Sequence, residues 1–236
     1  MTTEELLKKI KSKGYWRVEI HPTTFEKLLI PTFSEVRELI QSSIVRWRGW
    51  DYPYWNANNT TNMPDWVESF EDWERHIEFW RFYRSGLFVN LFAAYEDHID
   101  VDSILPMSYP PRHPRAGYIS FLSTIYKITE IFEFISRLAN ENILHNSAFV
   151  SIGLHNIKDH ELTSFTSNRW LDHDFVFMTD DPIVIEKTIF QRELIANPDD
   201  HALDYIVEIF ERFNWNNPSR EIFSEDQKRL RERRLI

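Results

Sequence analysis

The chain has 236 residues, no cysteine and a formal net charge of −10 at neutral pH. That length supports one large core without a staple, and the lack of thiols excludes a disulfide framework, a thiolate nucleophile and a cysteine metal site. The acidic balance argues against non-specific wrapping of a long duplex, because phosphate binding draws its affinity from Lys and Arg.

In chain order, residues 2 to 13 read as a short amphipathic helix: Thr2 and Glu5 match a capping box, Leu6, Leu7 and Ile10 share a face, and Gly14 suits the stop. Tyr15 to Ile20 alternates as a strand that Pro22 ends. Thr32 and Glu35 offer a second capping box, opening a helix through about Ile44 with Val36, Leu39, Ile40 and Ile44 as its buried stripe. Val45 to Trp50 alternates rings with cations and predicts a strand, followed by a polar loop from Asn56 to Pro64. Period-two patterning then predicts strands over Trp66 to Arg75, Ile77 to Tyr83 and Leu87 to Tyr95, the last two joined by a tight turn at Arg84-Ser85-Gly86. Both sides of that hairpin carry apolar residues, Ile77 and Phe79 against Trp80 and Phe82, so cover on both faces is expected.

Pro106, Pro110, Pro111 and Pro114 mark residues 100–117 as a surface loop and a candidate internal boundary. A long helix is expected from about Tyr118 to Asn140, with Phe121, Ile125, Ile128, Phe132, Ile135 and Leu138 at helical spacing. Lys127, Glu130, Glu133 and Arg137 interrupt it too often for a membrane span. Strands over Phe149 to Leu154 and Ile183 to Leu194 follow, then a helix capped by Asp199 and Asp200 and running to about Phe213. The expected fold is α+β: an aromatic-rich antiparallel sheet with helices mainly on one side. Nine Trp support it, since such rings favour strands and interfaces. The two halves offer similar series of elements without residue-level self-similarity. One domain over residues 1–217 and a charged tail over 218–236 are expected. The opening Met1 to Glu5 carries acids where a secretory signal needs bases, and a cytoplasmic protein is expected.

Chemistry is harder to read. The five glycines, Gly14, Gly49, Gly86, Gly117 and Gly153, cannot write a Walker loop or a dinucleotide fingerprint, and no G-x-S-x-G elbow occurs. Acids cluster with histidine at Glu96-Asp97-His98, Asp172-His173-Asp174 and Asp199-Asp200-His201. Glu96, Asp97, Asp172 and Asp174 are the candidate catalytic carboxylates, able in principle to hold Mg²⁺ or Mn²⁺, although helix caps and turn chemistry explain such acids more simply. No cofactor is therefore the leading expectation. Arg17, Arg46, Arg48 and Arg81 interleave with Trp16, Trp47, Trp50 and Trp80, a composition that stacks bases but more often caps the edge of a Trp-rich core by cation–π contacts. Trp47, Arg48, Trp50, Tyr52, Tyr54, Trp55 and Arg81 are the candidate binding residues, together with Arg233 and Arg234 of the one dense basic run.

The motifs Arg48-Gly49-Trp50-Asp51-Tyr52-Pro53, Gly14-Tyr15-Trp16-Arg17-Val18 and Trp80-Arg81-Phe82-Tyr83-Arg84-Ser85-Gly86-Leu87-Phe88 resemble those of a family of uncharacterised prokaryotic proteins. The likeness spans roughly residues 14–140 and extends to Ile128–Phe134. Members stand alone or beside an AlbA-type, Schlafen-like domain expected to bind nucleic acid, so the resemblance implies nucleic-acid-linked or defence biology and carries over no active site. Two functions are thus expected in competition: a non-enzymatic recognition or scaffolding subunit that binds a protein partner or its own copy, and a metal-dependent enzyme on nucleic acid or nucleotides. Motif silence favours the first.

Overall fold

The computed structural model describes residues 2–74, 76–99, 115–166, 171 and 174–234. It is α+β: a seven-stranded antiparallel sheet, a three-stranded one and six α-helices among the described residues. Helix α1 (Thr3–Ile10) opens on the expected capping box, Thr2 Oγ1 accepting the Glu5 N–H at 3.2 Å and Glu5 Oε2 accepting the Thr2 N–H at 2.7 Å. Strand β1 (Tyr15–Pro22) follows, and α2 (Phe33–Ser43) is closed at its start by the same reciprocal pair at Thr32 and Glu35. The short β2 (Thr61–Asn62) leads into β3 (Trp66–Trp73), β4 (His76–Tyr83) and β5 (Phe88–Ala93). Gly86, at φ +84° in the β4–β5 turn, occupies backbone space that a side chain would strain, with Leu29 and Pro22 against it.

The main sheet takes its remaining strands from the second half, β7 (Ser147–His155) and β10 (Ile183–Phe190), in the order β10-β7-β1-β5-β4-β3-β2. The halves are therefore unequal: five strands from one and two from the other, lying as two adjacent blocks in a single sheet. β6 (Gly117–Ser120) and β8 (His160–Thr163) pair in parallel, and β9 (Phe175–Val176) closes the small sheet. Neither β8 nor β9 was foreseen, because both are too short to show a period.

Alternation sends Trp16, Val18, Ile20, Trp80, Phe82 and Phe88 to one face of the sheet, where they share a core with α2, α3 (Phe121–Asn140), α4 (Gln191–Ala196), α5 (Pro198–Arg212) and α6 (Arg220–Arg231). The other face is covered over β4 and β5, where Leu6 and Ile10 of α1 meet Ile77, Phe79, Leu91 and Ala93 in a second, smaller core. The hairpin is thus covered on both faces, and α1 has its docking place.

Several expectations need correcting. Val45 to Trp50 is no strand: a lone bridge joins Val45 to Tyr52 and folds residues 46–51 into a loop. Tyr118 to Ser120 belongs to β6, and the helix begins at Phe121. The apolar run after Ile183 changes at Gln191 from strand to α4, an ambiguity that periodicity alone cannot resolve. Asp199 and Asp200 make no cap; they follow Asn197 and Pro198 in the first turn of α5, where acids favour the helix dipole. Within the expected charged tail, Arg220–Arg231 forms α6, which buries Phe223 and Leu230 against the core. The expected loop and boundary at 100–117 lie almost wholly outside the described residues.

Because Leu6 and Ile10 are fully buried, truncating either to Ala should cost about 2–4 kcal/mol by the usual loss of transfer energy and packing. Urea unfolding of Leu6→Ala and Ile10→Ala checks this; a cost near zero would mean that α1 merely rests on the sheet.

Candidate functional site

A cavity of about 350 Å³ opens where the central helix crosses the ends of β1, β4 and β5. Its floor is apolar: Trp16, Ile77, Phe92, Ala93 and Ala94. The 46–51 loop supplies Arg48 and Trp50, β4 supplies His76, and the segment after β5 supplies Tyr95 and Glu96. Ser123, Thr124 and Lys127 come from α3, on which positions 123, 127 and 130 fall one above another at helical spacing.

A two-pronged contact ties the loop to α3. Arg48 Nε and Nη2 donate to the two oxygens of Glu130 at 2.8 and 2.6 Å, and that carboxylate is wholly buried. A two-pronged pair of this kind satisfies both groups where a single contact would leave one charge stranded. It carries Trp50 onto β4, where the indole stacks on Tyr54 at 4.5 Å and on Trp73 at 5.5 Å, with the His76 ring 3.8 Å away.

Beneath the cavity lies a buried acid. Glu78 Oε1 accepts from Asn90 Nδ2 at 3.0 Å and from the Tyr54 N–H at 3.3 Å, while Oε2 lies 2.8 Å from His76 Nε2. Burial pushes the Glu78 carboxyl up, but the hydrogen bond and charge of His76, the charge of Lys127 and the Tyr54 N–H together hold it below the usual range. Glu78 is therefore an anion, with His76 Nε2 between it and the indole of Trp50. Trp50 Nε1 sits 2.5 Å from the same nitrogen. The indole N–H points at that nitrogen, so Trp50, His76 and Glu78 form one polar chain along the cavity wall.

Lys127 enters from the helix side, its Nζ 5.0 Å from the Phe92 ring centre and 5.4 Å from that of Tyr52. Among the described residues no hydrogen bond or ion pair holds this nitrogen. Burial lowers its pKa, against the opposing charge of Glu130. Glu96 completes the wall. Its Oε1 accepts the Ser120 N–H at 2.9 Å, and burial pushes its carboxyl up to about 7.

The candidate catalytic acids do not converge. Glu96 faces the cavity, whereas Asp97 turns away, accepting the Gly14 N–H at 2.7 Å and lying 3.0 Å from His160 Nε2. A Cβ on Gly117 would collide with both Asp97 and His160, so that residue's lack of a side chain permits the pair. Burial lowers the His160 pKa, but the hydrogen bond and charge of Asp97 outweigh it and raise the ring above its usual value. Asp174 lies 3.4 Å from Arg115, which also pairs with Glu161, and Asp172 lies outside the described residues. Among the described residues no three His, Asp or Glu side chains group as a cation site.

Of the candidate binding residues, only Arg48 and Trp50 line the cavity. Tyr52, expected as an anchor for a partner, is fully buried in the main core and out of reach. Tyr54 backs Trp50, and Trp55 packs on Trp80 at 5.7 Å. Trp47 lies under Arg231, at 4.5 Å, and Arg81 is bound to Glu68 at 2.7 Å over the Trp66 and Phe79 rings, the edge-capping arrangement. Arg233 donates to the Arg46 carbonyl at 3.1 Å, and Arg234 pairs with Glu232. Sequence reasoning missed Lys127, His76 and Glu78. The available signal was a lysine set on a continuous apolar helix face, where an uncompensated charge is costly.

No family model, curated protein or solved structure matches the chain.

The raised Glu96 pKa makes a pH prediction. Its protonated form is favoured in the folded chain, so its contribution is fully present below its ordinary value of 4.5 and is lost as pH rises through about 7. Glu96→Gln, which keeps the acceptor for Ser120, should stabilise the protein at pH 8 by on the order of 3 kcal/mol and leave it unchanged near pH 4.5. Urea unfolding of both proteins across that range reads the difference; parallel pH profiles would refute it.

Proposed function

We propose that the chain is a recognition subunit rather than an enzyme, and that what it recognises through this cavity is a small planar acid. The observation that carries the reading is Lys127: an ammonium group on the cavity wall over the Tyr52 and Phe92 rings, with no hydrogen-bonding partner among the described residues, is completed by an anion that brings its own charge. The flat surfaces of Trp16, Phe92 and Trp50 suit a ring. The volume fits a ligand of modest size, and the apolar floor leaves the polar side chains to the walls, where they can orient it. Ser123 Oγ meets the Tyr95 hydroxyl at 3.2 Å instead of a base. A setting in nucleic-acid-linked or antiviral defence, and a protein partner that reads the occupied state, complete the proposal; the former rests on the resemblance of the RGWDYP and WRFY segments alone.

The test is a thermal-shift series with aromatic carboxylates and nucleoside monophosphates. A ligand present at 100 times its dissociation constant should stabilise the folded chain by about 2.7 kcal/mol. Lys127→Met should abolish the shift for every acid, and Trp50→Phe should weaken it while preserving the fold. Binding that tolerates both substitutions, or a panel of acids without any shift, would end this reading.

A further inference from the structure

The outer strand β10 pairs on one side only, with β7. The Gln191 N–H donates to the Asn146 carbonyl at 2.9 Å, continuing the ladder by one residue and revealing its phase. Counting back by twos, Ile189, Lys187, Ile185 and Ile183 turn their backbone groups to β7, while Val184, Glu186, Thr188 and Phe190 turn theirs outward. Those same four residues project from the open face of the sheet and are exposed, Val184 at 40% and Phe190 at 54%. Among the described residues no strand lies beyond them. An eight-residue edge without proline or bulge is a template for another strand.

The edge is complementary to itself. Two copies meeting about a two-fold axis normal to the sheet keep their faces aligned only if residues of like parity stand opposite each other. Centring the pairing on Lys187 sets Val184 against Phe190 twice, Ile185 against Ile189 twice, and Glu186 against Thr188 twice. Centring it on Glu186 sets that acid against its own copy and Ile185 against Lys187. The first register covers both exposed apolar side chains. It also tolerates its central lysines, because each Nζ lies 3.6 Å from Glu208 and 4.9 Å from the Tyr205 ring of its own chain. We infer that β10 pairs antiparallel with β10 of a second copy in the register centred on Lys187, joining two molecules through one continuous sheet.

The chain has no cysteine, so the register can be read directly. The Val184→Cys/Phe190→Cys double variant should form a covalent dimer under mild oxidation, since hydrogen-bonded cross-strand partners bring Cα atoms to about 5.5 Å, within disulfide reach. Glu186→Cys, which would cross-link only in the rival register, should stay uncoupled. Light scattering on the unmodified chain should show a concentration-dependent dimer. Thr188→Pro removes an outward N–H and nothing from the β7 ladder, and should give a monomer that melts where the unmodified chain does at dilutions at which it is monomeric. A monomer at every concentration, a dimer that survives Thr188→Pro, or cross-linking through Glu186→Cys would each overturn the inference.

Discussion

The ion pair between Arg48 and Glu130 holds the rest of the site in place. Backbone pairing across the 46–51 loop is limited, among the described residues, to the Val45–Tyr52 bridge at its base. Its position against α3 is set instead by two charge-assisted hydrogen bonds inside the protein. From that contact follow the approach of Trp50 to His76 and the polar chain that runs from the indole through His76 to the buried Glu78. A buried pair of this kind adds little net stability by comparison with apolar packing, but removing one member strands the other charge. Its value here lies in geometry: a loop that could lie anywhere lies in one place.

The sheet has two different sides. One carries the main core and most of the helices, and the other is closed by α1 over β4 and β5 and left open toward β10. The α1 helix is short, and isolated helices of that length are marginal in water. It persists because its capping box satisfies backbone donors and because Leu6 and Ile10 find a ready apolar patch on the hairpin. The charged C-terminal stretch follows the same logic. Arg231 binds Asp199 and Glu133 and lies over Trp47, so one of its cations fastens α6 to α5 and α3 while Phe223 and Leu230 supply the apolar contact. A basic run read in isolation looks solvated; the acids that engage it come from elsewhere in the chain.

Where local rules suffice, the sequence was legible. Both capping boxes, the 3.6-residue stripe of α3, the period-two strands from Trp66 to Ala93 and the Gly86 turn could all be read from neighbours within a few positions, since each depends on contacts of short range. The two-sided apolar pattern of β4 likewise announced cover on both faces. The change from strand to helix at Gln191 was not legible, because Ile189, Phe190, Leu194 and Ile195 satisfy either period over so short a run.

By itself, then, the order of residues determined the helices, most of the strands and which faces of them seek burial, because those follow from backbone hydrogen bonding and the exclusion of apolar surface from water. Only the tertiary structure decided the site. Lys127 and Glu130 look in sequence like interruptions of an apolar helix, and become a cavity wall and a loop anchor only when Arg48, distant along the chain, is brought to them. Glu96 and Asp97 are neighbours in sequence with opposite destinations, one facing the cavity and one paired with His160. Electrostatic partners of this kind are chosen by distance through space, and distance through space is what a linear pattern does not contain.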